Sequence, residues 1–118
     1  MTIQELIPII EAENCTPDLP SDREITSGYA CDLLSWVMAH GMPGMAWITV
    51  QTHLNVIAVA VLMEFTCVIL PENTQMEEPS LRKAKDEGII VLRSPLTAYE
   101  LCARMAASGL GAAPMEKK

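Results

Sequence analysis

Met45-Ala-Trp-Ile-Thr-Val50, the polar break Gln51-Thr-His-Leu-Asn55, the apolar run 55–64 and Thr66-Cys-Val-Ile-Leu70 form the stretch that decides the fold. The first six residues are apolar or β-favouring and predict a strand. The last five make a short, nearly all-apolar run, as an interior parallel strand does. Between them, residues 55–64 are apolar almost all round, the mark of a buried helix. Periodicity alone leaves a strand open there. Ala58, Ala60 and the crossover that a parallel pair requires decide for helix.

The same alternation continues on both sides. Downstream, Pro71 to Glu77 is a loop and Pro79 suits the first turn of a helix. Leu81 and Ala84 face inward from it, Arg82, Lys83, Lys85, Asp86 and Glu87 face water, and Gly88 closes it. Ile89 to Leu92 is the next strand, ended by Ser94-Pro95. Thr97-Ala-Tyr-Glu100 has the form of a capping box. It leads a helix with Ala98, Leu101, Cys102 and Met105 inward, stopped at Ser108-Gly109. Residues 110–118 read as a flexible tail, which leaves one domain over residues 1–109.

Upstream, Arg23 to Ser27 reads as a short strand ended by a glycine turn at Gly28. A helix follows from Ala30, with Leu33, Leu34, Val37 and Met38 on one face. It stops at His40-Gly41, where Gly41 suits the left-handed position after a helix. Thr2-Ile-Gln-Glu5 is a first capping box, and Ile3, Leu6, Ile7 and Ile10 follow at helical spacing, predicting a helix over 3–12. Residues 14–21 are irregular, with a short extended piece near Cys15. The fold class expected is α/β: a small, mostly parallel sheet with helices packed on it, in β-α alternation after an N-terminal helix.

Half of the 118 residues are hydrophobic but only 4% are aromatic, so the core must be aliphatic and rich in methionine. So high an apolar content in a small chain points to an exposed patch, and from there to a homo-oligomer, a dimer being the simplest. The net charge of −7, from 8 basic and 15 acidic residues, repels phosphate backbones, so nucleic acid is not an expected partner. Nor is a membrane, because no basic cluster would hold an anionic surface. The apolar run Val56 to Met63 is far short of the roughly 20 residues a membrane helix needs. The first residues lack a basic segment before an apolar one, and the expected location is cytoplasmic. Cys15, Cys31, Cys67 and Cys102 are scattered and form no C-x-x-C pair. With only His40 and His53 to join them they suggest reduced thiols rather than a metal site, and no cofactor is called for.

In open parallel sheets, ligands bind where strand ends feed helix starts. Three polar loops fit: Ser27-Gly28-Tyr29, Thr49 to Asn55, and Ser94 to Thr97. Free N–H groups at helix starts favour an anion. The candidate ligand-binding residues are therefore Ser27, Gly28, Tyr29, Gln51, Thr52, His53, Asn55 and Ser94, and the ligand a small anion such as a phosphate compound or nucleotide. Each has a plainer reading. Thr97 is a helix cap before it is a ligand contact, Asn55 or Thr52 can cap the helix that follows, and Gly28 can serve only its backbone. His53, near a helix start, is placed to contact phosphate or accept a phosphoryl group, and its plainer reading is a satisfied or solvated loop histidine. The chain has no G-x-x-x-x-G-K-[ST] loop, no G-x-G-x-x-G and no G-x-S-x-G elbow. No residue is assigned a catalytic role, and the expected activity is regulatory or ligand-sensing rather than enzymatic.

Asp22-Arg-Glu-Ile-Thr-Ser-Gly-Tyr29, followed by Ala30-Cys-Asp-Leu-Leu-Ser35, resembles the DRTGG domain family. Asp22-Arg23 is intact, and Ser27 stands where a glycine is usual. The similarity runs on through Trp47 to Asn55 and Glu87 to Pro95, and covers roughly residues 2–107. The family is similar in fold to the amino-terminal domain of HPr kinase/phosphorylase, which lacks the phosphate loop. Its domains also occur as modules of phosphotransacetylases and of pyrophosphatases with cystathionine-β-synthase (CBS) repeats. The resemblance thus implies a regulatory or dimer-forming role without naming a reaction.

Overall fold

The strand, helix and strand read from residues 45–70 are present in the structure, a computed structural model that describes residues 1–113. In chain order the elements are α1 (Ile3–Ile9), β1 (Glu13–Asn14), β2 (Ser27–Ala30), α2 (Leu34–His40), β3 (Met45–Ile48), α3 (Leu54–Leu62), β4 (Cys67–Leu70), α4 (Glu78–Glu87), β5 (Ile90–Arg93) and α5 (Ala98–Ala107). The sheet order is β1-β5-β4-β3-β2. β2 to β5 run parallel, and β1 closes the other edge antiparallel to β5, pairing Glu13 with Arg93.

The central strands are apolar on both faces because both are covered, and their side chains divide by alternation. Ala46, Ile48, Cys67, Ile69, Ile90 and Leu92 face one way and meet Ile3, Leu6 and Ile10 of the first helical segment and Leu101 and Met105 of α5. Met45, Trp47, Val68, Leu70 and Val91 face the other way and meet Val37 of α2, Val56 and Ile57 of α3 and Ala84 of α4. Three helices therefore cover one face, while α1 and α5 cover the other.

The capping box at Thr2 forms in both directions: Glu5 N–H donates to Thr2 and Thr2 N–H donates to the Glu5 carboxylate. The Thr2 backbone N–H, and after it the Thr2 hydroxyl, hold the Glu5 carboxyl below its ordinary range. α1 ends earlier than expected, at Ile9, with Pro8 inside its last turn and Glu11 at φ 54.

The first strand expected, Arg23 to Ser27, is displaced. Residues 23–25 instead pair with the chain's first residues, through Ile3 N–H to Arg23 O and Ile25 N–H to Met1 O. The parallel strand is Ser27–Ala30, in register with Met45–Ile48. Gly28 is thus mid-strand and makes no turn. A Cβ there would lie 3.3 Å from Met105 Cε, so the glycine lets α5 lie close to the sheet. Gly41 is not left-handed either: its φ is −66, and it is required by Phe65, whose ring would lie 2.6 Å from a Cβ. Gly88, by contrast, does close α4 at φ 75.

Cys102, expected inward, is exposed. The tail expected from residue 110 does not begin there. Leu110 is buried with the α5 core, and Gly28 N–H donates to Gly111 O beside a parallel bridge from Gly28 to Ala112. The outer edge of β2 offers unpaired backbone groups, and this segment satisfies one of them. Residues 114–118 of that expected tail lie outside the described residues.

Gly44 precedes β3 with φ +83, and a Cβ there would meet Thr26 Oγ1 at 2.6 Å. Gly44→Ala should lower stability by about 1–3 kcal/mol, combining left-handed strain with the clash. Urea unfolding measures it, and an unchanged midpoint would mean that this turn holds neither.

Candidate functional site

The parallel strands end together at Ala30, Ile48, Leu70 and Arg93, and the polar residues expected to line a site follow those ends. They do not converge. Ser27 is buried within β2, and Gly28 and Tyr29 line a cavity of about 210 Å³ between β2 and α5, with Cys102, Met105 and Leu110. The Tyr29 hydroxyl is buried without a hydrogen-bond partner, and burial, with the Cys31 thiol nearby, raises its pKa. Ser94 is fully buried: it donates to Ile10 O at 2.7 Å and accepts from Leu96 N–H at 3.1 Å, so its hydroxyl ties the start of the α5 loop to the end of α1. Asn55 sits on the outer side of α3.

Gln51, Thr52 and His53 do share one loop, but each is engaged by an acidic neighbour or its backbone. His53 is the N-cap of α3, and its side chain makes no cap bond. Neither Thr52 nor Asn55 takes that position. The imidazole Nδ1 lies 2.9 Å from Glu77 Oε2, to which Thr52 Oγ1 also donates at 3.3 Å. Glu77 is itself the N-cap residue of α4, so this trio links the starts of two helices. Both side chains are largely exposed, which places the ion pair in the weak class. A carboxylate beside the imidazole disfavours an incoming phosphoryl group.

The organised group at the strand ends joins Gln51 and the Thr49 end of the expected loop to Asp32, which was not among the expected site residues. Cys31 N–H donates to Ile48 O, and Trp47 Nε1 donates to Cys31 O at 2.8 Å, which fixes the exit of β2 against β3. Asp32 then turns its carboxylate onto the end of β3. Its Oδ1 accepts from Thr49 Oγ1 at 2.8 Å and from Val50 N–H at 3.0 Å. Gln51 returns the contact, donating through Nε2 to Asp32 O at 3.0 Å. Thr49 is buried, and beside this group lies a cavity of about 150 Å³ walled by Ile48, Val50, Pro71 and Ala98. The signal for Asp32 in the sequence was weak: one acidic residue between Cys31 and Leu33, which reads as a helix start.

Two thiols differ sharply. Cys67 is fully buried in the central strand, and burial pushes it up to about 12 from an ordinary value near 9.0. Cys102 is exposed. Alkylation of the native protein at pH 8.5 should modify Cys102 within minutes and leave Cys67 intact until urea is added. The sign follows from linkage: the folded value is the higher one, so this thiol's share of stability is whole below pH 9 and is lost as pH rises toward 12. Rapid native labelling of Cys67, read by mass spectrometry, would contradict its placement.

No family model matches the chain, and no curated protein does. A solved structure does resemble it. It is the crystal structure of the CBS and DRTGG domains of the regulatory region of Clostridium perfringens pyrophosphatase, complexed with its activator diadenosine tetraphosphate. The TM-score is 0.70 at 12% identity, over 91% of this chain and 46% of that one. The two share a fold. This chain spans less than half of the length of that region. Among the described residues no group of three His, Cys, Asp or Glu could hold a metal ion, and no helix is long and apolar enough to cross a membrane.

Proposed function

We propose that this chain is a DRTGG-type regulatory module that works as a homodimer, joined through the outer faces of α2 and α3, and that it responds to a small ligand without catalysing a reaction. The observation carrying this reading is the character of those two helices. None of the 15 acidic and 8 basic residues lies within Leu34–His40 or Leu54–Leu62. Trp36, Met38, Leu54, Val61 and Leu62 are nevertheless exposed, Leu62 to 66%. A groove between the helices is lined by Leu34, Met38, Asn55, Ala58, Val59 and Leu62.

A second copy is the occupant that fits. Two chains of −7 repel over most of their surface, and an uncharged face is where they meet at least electrostatic cost. Exposed apolar residues on an uncharged face of a small chain are the kind of patch that marks an interface. The similar fold of a pyrophosphatase regulatory region, solved with a nucleotide activator, supports the regulatory part. Sedimentation velocity at about 20 µM tests the assembly: a dimer near twice 12.9 kDa is expected, and a clean monomer overturns it.

The second reading, a ligand-binding protein, rests on the ordered Asp32 group and its cavity. Phosphotransfer through His53 has less support, because Glu77 occupies the imidazole's neighbourhood.

A further inference from the structure

We infer that the strand-end cavity beside Asp32 is a binding site for a small molecule presenting an N–H donor, cationic or amino, rather than for a phosphate group. This rests on the ligand-sensing part of the reading above and names its ligand class. The carboxylate is held in place before any ligand arrives. Thr49 Oγ1 and Val50 N–H both bond Oδ1, and the backbone of residues 31 and 32 is tied to Trp47 and Gln51. Oδ2 has no hydrogen-bond or ion-pair partner among the described residues.

An ionised carboxylate only accepts, and each oxygen has room for about two donors. The two donors fill Oδ1, which leaves Oδ2 of this exposed residue, one of those lining the cavity, open to a donor. Phosphate brings negative charge to that oxygen, on a chain already at −7. A nitrogen donor brings the complement. The remaining walls, Ala30, Ile48, Val50, Pro71 and Ala98, are apolar, and suit a flat hydrocarbon or heteroaromatic body. The volume of about 150 Å³ is that of roughly five waters, enough for a single ring or an amidine head and too small for a dinucleotide.

Benzamidine and benzoate test this, because they share a ring and differ in the sign of the head group. Each is titrated into the full chain at pH 7 and followed by amide NMR, with adenosine and inorganic phosphate as further probes. Saturable shifts at Cys31, Asp32, Thr49 and Val50 are expected with benzamidine, with none from benzoate or phosphate at those positions. Adenosine binding there as well would assign the amino form of the donor, and its silence the cationic form. Asp32→Asn keeps an acceptor for Thr49 and Val50 and should weaken benzamidine binding at least tenfold while leaving the remaining spectrum unchanged. Absence of shifts at 10 mM benzamidine, equal shifts from benzoate, or unaltered binding to Asp32→Asn overturns the assignment. Phosphate shifts at Thr52 and His53 with no benzamidine shifts at the Asp32 cavity would overturn it while leaving ligand sensing in place.

Discussion

Ile69→Ala should lower the unfolding free energy by about 4 kcal/mol, within the range of about 2–5 for a fully buried aliphatic truncated to alanine. Ile69 is fully buried in β4, which lies at the middle of the sheet. Its side chain faces the α1 and α5 layer, with Ile48 of β3 and Leu92 of β5 in the same cluster. No helix can move into the gap without pulling its own contacts away, so most of the cavity stays open. A domain of this size has about 5–15 kcal/mol in total, so the variant should be partly unfolded at 37 °C. With a urea slope of about 1–3 kcal/mol/M, the midpoint should fall by well over 1 M. Leu62→Ala, the same kind of deletion at an exposed site, should change the stability of the dissociated chain by less than about 0.5 kcal/mol. Equal losses from the two variants would mean that β4 is not the centre of the core.

That contrast also explains which parts of the fold could be read from the sequence. β3, α3 and β4 were legible because each is uniform in chemistry: continuous apolar strands flank a helix with no charge. β2 was not. Ser27-Gly-Tyr-Ala lacks β-branched residues and contains a glycine, and becomes a strand through pairing with Met45–Ile48. Tertiary pairing outweighs local preference there. The glycine looked like punctuation, whereas its role is to admit Met105 of α5. Leu110 failed for a related reason: one apolar residue after Gly109 has no period, and its burial depends on α5 returning over the sheet.

The candidate site was legible in its location and not in its partners. Polar residues after β3 could be seen to gather at a strand end. What each would touch depends on which loop crosses it. Asp32 offers its carboxylate to Thr49 and its backbone carbonyl to Gln51, and Glu77 offers its carboxylate to Thr52 and His53, so every partner comes from another segment. Ser94 shows the same effect inside the protein, since its hydroxyl is consumed by Ile10 O, 84 positions away in sequence.

Leu62→Lys should convert the proposed dimer to monomer, raising the dissociation constant at least a hundredfold. Leu62 lines the groove between α2 and α3 and is the most exposed of the groove's large apolar residues. In a two-fold assembly each substitution enters twice, so two leucine contacts are lost and two ammonium groups are brought into an apolar seam. Full burial of a leucine contributes about 1.5–3 kcal/mol, and an unpaired charge costs more than that to desolvate. A hundredfold change needs only about 2.8 kcal/mol, less than the two substitutions together should supply. Because the residue is exposed in the single chain, the fold should survive, with circular dichroism unchanged. Met38→Glu, on the facing helix, should act likewise, while Tyr99→Lys, at the start of α5 and 85% exposed, should leave the dimer intact. Sedimentation equilibrium of the three variants separates the possibilities. If Leu62→Lys and Met38→Glu assemble as tightly as Tyr99→Lys, the α2–α3 face is not the interface. If the unsubstituted chain is already monomeric, the dimer itself is overturned. Loss of assembly in the first two alone would place the two-fold axis over this groove, on the far side of α2 and α3 from the sheet and apart from the strand-end cavity.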